Sequence, residues 1–71
     1  MNVYELYLDG VESERRLNAA RWELFVFPEI REVCRIGASR HVAILYEADE
    51  PNVNAWLEVL AAAGFVRALA A

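Results

Sequence analysis

Tyr4, Leu6 and Leu8 fall on one side of the first segment, and Val3, Glu5, Tyr7 and Asp9 on the other. That period of two predicts a half-buried strand over Val3 to Asp9, and Gly10 breaks it. From Ser13 the period lengthens. The Ser13 hydroxyl suits an N-cap, Glu14 complements the positive end of a helix, and Leu17, Ala20, Arg21, Leu24 and Phe25 recur at helical spacing. Arg15, Arg16 and Glu23 are left for solvent, and Pro28 forbids continuation, so the helix is expected to end near Val26.

Ile30 to Ile36 and His41 to Glu47 are strand-like runs joined by Gly37, Ala38, Ser39 and Arg40, a link that suits an antiparallel hairpin. Asp49, Glu50 and Pro51 then read as a helix entry, because acidic residues favour that end and proline is tolerated where the first amide has no partner. Val53, Trp56, Leu57, Leu60 and Ala61 form the second apolar stripe. Gly64 stands where a left-handed C-cap is wanted, and the segment 65–71 either adds a short fourth strand or trails off. The order predicts one α+β domain over residues 1–71, a ferredoxin-like split β-α-β sandwich with two helices on one face of an antiparallel sheet. The other face is then open, with some of Tyr7, Ala43 and Leu45 assigned to it along with Cys34 or its neighbours, and a homodimer through that face is the simplest way to cover it.

Composition narrows the function classes. The 71 residues are 58% hydrophobic, above the roughly 45–50% of an average soluble domain, which also favours a protein partner. A net charge of -4 and seven scattered basic residues, all Arg, argue against a nucleic-acid partner, which requires clustered cations to neutralise phosphate. No apolar run approaches the roughly 20 residues of a membrane span, and the first residues do not resemble a secretory leader. The expectations are no membrane association and a cytoplasmic location.

The framework positions resemble a heavy-metal-associated domain, the copper-chaperone-like family, over nearly the whole chain. Gly10 and Val11 stand where that family has Gly-Met ahead of its metal-binding loop. Phe27, Pro28, Glu29 and Ile30 match its Leu-Pro-Gly-Val turn, Val33, Val42 and Ile44 continue the frame, and Ala63, Gly64 and Phe65 match its closing Ala-Gly-aromatic motif. Without a gap, the two cysteine positions of the family's Cys-x-x-Cys fall on Ser13 and Arg16. The resemblance implies the fold above and a loop that has lost its ligands, since a hydroxyl and a permanent cation cannot replace thiolates on Cu(I). It also implies that docking to another protein survives, with Glu12, Ser13, Arg15 and Arg16 as the partner-binding set.

Other chemistry is sparse. Cys34 cannot form an intrachain disulfide, and in a strand a single cysteine is usually a small hydrophobe, although Arg31 and Arg35 keep a reactive thiol open. If His41 faces Cys34 across the hairpin, the pair supplies two ligands, and a dimer would double them into a zinc site. Trp22 and Trp56 read as packing or interface residues. Glu12, Glu14, Asp49 and Glu50 read as helix-start acids. No nucleophile elbow, P-loop or dinucleotide fingerprint is present. The expected function is a non-catalytic protein-interaction or regulatory module with no cofactor. The alternatives are metal binding or sensing through Cys34 and His41, or a small dimer enclosing a pocket in which His41 and Tyr7 or Tyr46 act.

Overall fold

The alternating first segment becomes an inner strand of a four-stranded antiparallel sheet. The computed structural model describes residues 1–69. Along the chain it forms β1 (Asn2–Leu8), α1 (Glu14–Leu24), β2 (Ile30–Arg35), β3 (His41–Tyr46), α2 (Val53–Ala62) and β4 (Arg67–Ala68), with strand order β2-β3-β1-β4. This is the ferredoxin-like β-α-β-β-α-β arrangement. The fourth strand is real but two residues long; Ala70 and Ala71, the end of the segment in question, lie outside the described residues.

Side-chain alternation assigns the faces. Leu6 and Leu8 of β1, Val33 of β2, and Val42 and Ile44 of β3 are buried against Leu17, Ala20 and Leu24 of α1 and Trp56 and Leu60 of α2. Burying aliphatic side chains of this size is worth about 1.5–3 kcal/mol each, so this single layer is the main source of stability. Ile30 and Val33 both enter the core although they are three residues apart. A register shift between Ile30 and Glu32 makes this possible, since the extra residue restores the correct face. Cys34 is thereby turned to the open face, opposite Ala43.

Helix termini follow local chemistry. Ser13 caps α1 through its Oγ, which accepts from the Arg16 N–H, and Glu14 occupies the first turn. α1 stops at Leu24, earlier than the apolar spacing predicts, and Phe25 is its exposed C-cap. The entry of α2 also differs from expectation. Asn52 is the N-cap, its Oδ1 accepting from the Ala55 N–H, and Asp49, Glu50 and Pro51 all precede the first turn. An asparagine side chain reaches an orphan amide directly, whereas the carboxylates lie two and three residues too early.

At its other end α2 closes in a Schellman motif. The Phe65 N–H donates to the Leu60 carbonyl at 2.9 Å and the Gly64 N–H to the Ala61 carbonyl at 3.0 Å. Gly64 has φ of 91°, a conformation that costs any residue with a Cβ. The motif drops Phe65 into the core beneath the β1–α1 loop.

Candidate functional site

The loop from Gly10 to Ser13 joins β1 to α1 at one end of the sheet and carries the expected partner-binding set. Glu12, Ser13, Arg15 and Arg16 are all exposed there. Gly10 turns the chain at φ of 90°, and the Ser13 N–H donates to the Gly10 carbonyl at 3.2 Å, closing a tight turn. Val11 points inward and is fully buried, which anchors the loop to the core.

Two guanidinium groups organise the loop. Arg35, at the end of β2, donates from one terminal nitrogen to the carbonyls of Val11 at 2.8 Å and Glu12 at 2.7 Å. Its other terminal nitrogen meets the Glu14 carboxylate at 2.7 Å, and its Nε donates to the Gly37 carbonyl at 3.0 Å. One planar fork thus ties the loop, the first turn of α1 and the β2–β3 hairpin together. Arg16 lies with its guanidinium carbon 4.4 Å from the centre of the Phe65 ring. It also donates to the Gly64 carbonyl at 3.5 Å, and a Cβ on Gly10 would come within 3.2 Å of its Nε. Cation–π attraction and this close fit bind Arg16 to the α2 C-cap. Arg15 projects into solvent.

Residues Ser13 and Arg16 do not fit a metal cation. The Ser13 hydroxyl is used as a helix cap, and the Arg16 position holds a permanent positive charge packed on an aromatic ring. Neither supplies the soft anionic donor that Cu(I) requires. Among the described residues, no three His, Cys, Asp or Glu side chains are grouped so as to hold a metal ion.

The second candidate pair sits on the open sheet face. Cys34 is opposite Ala43 and His41 is opposite Tyr7, so Cys34 and His41 share a face but are not directly across from each other. His41 is already engaged, with Nε2 2.6 Å from a Glu5 carboxylate oxygen and its ring stacked on Tyr7 at 4.6 Å. Arg31 and Arg35 give Cys34 no cationic setting, because Arg31 pairs with Glu47 and Arg35 serves the loop. Tyr46 is on the helix-facing side, against Trp56, and so cannot converge with His41. Trp56 itself is a core residue whose indole N–H donates to Glu29 at 3.1 Å, while Trp22 is 74% exposed on α1. The sequence pointed to Arg16 by position alone. Arg35 was legible only as a neighbour of Cys34, since its partners in the loop lie more than twenty residues away.

No protein-family model and no curated protein matches this sequence. Solved structures do. One, described by the words "Crosstalk between Cu(I) and Zn(II) homeostasis", superposes with a TM-score of 0.75 at 12% identity, covering 96% of this chain and 97% of that one. Another, a CsoZ metallochaperone, superposes at 0.73 with 16% identity over the same shares. At such identity the shared property is the fold. No described helix is long and apolar enough to cross a membrane.

Proposed function

We propose that this protein is a non-catalytic interaction module, a heavy-metal-associated fold whose metal loop has become a protein-docking loop. The observation that carries this reading is Arg16 seated on Phe65 where the family's second metal thiolate would be. A loop built around two guanidinium groups repels metal cations and presents Arg15 and Glu12 at a surface whose shape Arg35 fixes. A preordered loop of this kind loses little conformational entropy on binding. The partner is another protein, not a nucleic acid, and a cytoplasmic setting suits a domain without a membrane span.

Native mass spectrometry of the reduced protein with added Cu(I) and Zn(II) tests the loss of metal handling. The expected result is no stoichiometric adduct. An adduct that disappears in Cys34→Ser would replace the reading with metal binding through Cys34 and His41. For docking, a tagged chain and its Arg15→Glu/Arg16→Glu variant are compared as baits. A partner retained equally by both removes the loop from the proposal.

A further inference from the structure

The outer surface of α1 combines an aromatic ridge and an unused charge on one line. Leu17, Ala20 and Leu24 point into the core, so the opposite side of the helix faces away from the sheet. Arg15, Ala19 and Trp22 stand there at i, i+4 and i+7, stacked along the axis, and all three are exposed. Phe25 and Val26 carry the line past the last turn. Tryptophan is among the more buried side chains on average, yet Trp22 is 74% exposed and Val26 70%. The Trp22 ring meets Phe25 edge-on at 6.4 Å, which makes a continuous apolar ridge.

The charge is that of Arg15. Among the described residues, it is the one arginine whose guanidinium is not engaged. Arg16 lies on Phe65, Arg21 bonds the Val33 carbonyl, Arg31 meets Glu47, Arg35 holds the loop, Arg40 meets Asp9 and Arg67 bonds the Tyr4 hydroxyl. Three and four residues after Arg15, where a helical ion-pair partner belongs, stand Asn18 and Ala19, and the Asn18 oxygen already accepts from Arg21. Glu23 is rotated by about 100° from Trp22 and so leaves the line. Residues 70 and 71 cannot reach this ridge. They follow β4, three strands or about 14 Å from β2, the strand that α1 grips through Arg21, and two residues span about 7 Å at most.

We propose that the outer face of α1 is a docking surface for an amphipathic helix of another protein, which sets a carboxylate against Arg15 and an apolar stripe on Trp22, Phe25 and Val26. The proposal rests on the reading of this chain as an interaction module, and it extends the loop surface, which shares Arg15, by about 10 Å along α1. A helix is the occupant that fits a ridge of this kind, because its side chains recur at the same rise and interleave with those of α1. Arg and Trp are also the side chains that most often dominate binding energy at interfaces. Charge selects an acidic partner over a second copy, since the same line on a second copy offers Arg15 and no carboxylate.

Two synthetic helical peptides of about 18 residues test this, with the same leucine stripe and flanks of glutamate in one and lysine in the other. Each is labelled and titrated with the full chain by fluorescence anisotropy. The glutamate peptide is expected to bind, and the lysine peptide at least about tenfold more weakly. Trp22→Ala and Arg15→Glu should each weaken the glutamate peptide by about tenfold, and Arg15→Glu should invert the preference between the two peptides. Both positions are exposed, so circular dichroism of the variants should be unchanged. No binding of the glutamate peptide at about 1 mM, or equal binding by Trp22→Ala, overturns the proposal. So does self-association of the unaltered chain that Trp22→Ala abolishes, which would make the occupant a second copy. Binding that is lost in Arg16→Glu and indifferent to Trp22→Ala sinks the α1 face and spares the docking loop. The reverse pattern supports the α1 face and removes the loop.

Discussion

The guanidinium of Arg35 holds the carbonyl of Val11 at 2.8 Å, across 24 residues of sequence, and with it the loop between β1 and α1. The buried Val11 side chain and a cation from β2 together order the loop. The side chain of Arg35 is only 16% exposed, so its bonds are shielded from water more than those of a surface pair.

Arg35→Ala should therefore destabilise the fold by about 2 kcal/mol, within the range for hydrogen bonds to a charged group, as read from urea denaturation. Arg35→Lys keeps the charge and loses the fork, and should recover less than half of that. Glu14 is 69% exposed, so Glu14→Gln should cost no more than about 0.5 kcal/mol. Equal effects of Glu14→Gln and Arg35→Ala would show that the ion pair, rather than the carbonyl contacts, carries the staple.

Gly64→Ala tests the C-cap that supports Arg16. At φ of 91° an alanine meets no neighbouring atom within 4 Å, so the cost is backbone strain alone. A loss of about 1–2 kcal/mol is expected, with unchanged oligomeric mass. A neutral result would mean that the helix ends in a different turn in solution.

The two tryptophans should report separately. Trp56 is fully buried, with Tyr4 and Tyr46 edge-on at 6.3 and 5.2 Å, whereas Trp22 touches only Phe25 among the aromatic rings, at 6.4 Å. Trp22→Phe should leave a blue-shifted emission that resists acrylamide and should change stability by less than about 0.5 kcal/mol. Trp56→Ala should cost about 3–5 kcal/mol, because it removes a large core side chain and strands Glu29 without its donor. Comparable quenching of both single-tryptophan variants would contradict the burial of Trp56.

Most of the fold was legible because its signals are local. The strands announce themselves by alternation, Ser13 by its capping hydroxyl and Gly64 by the turn it permits. The errors are also local. Asn52 outcompeted the Asp49–Pro51 signal, and the apolar spacing through Phe25 ran on past the last turn of α1. The site was less legible for a different reason. Ser13 and Arg16 were identified by their place in a resemblance, but nothing near position 35 in the sequence announces that its side chain reaches Val11 and Glu12. Nor does periodicity reveal that the Cys34 and His41 positions are offset, since the bulge beside Arg31 and the hairpin length set that register together.

Placing two thiols at positions 13 and 16 gives the sharpest test of the loop's geometry. Ser13 and Arg16 are the N-cap and third residue of α1, where side chains from successive turns approach one another. In Ser13→Cys/Arg16→Cys, two thiols replace a hydroxyl and a cation, and a pair of thiolates at that spacing is what soft Cu(I) selects. If the loop has a metal-binding shape, the double variant should bind one Cu(I) per chain under reducing conditions, while each single variant should not. The substitution also removes the Arg16 contact with Phe65, so the apo form should be less stable than the unaltered chain by about 1 kcal/mol, and Cu(I) should more than restore that loss by mass action. A folded double variant that takes up no Cu(I) would show that the Arg35 staple holds the loop out of a metal-binding shape.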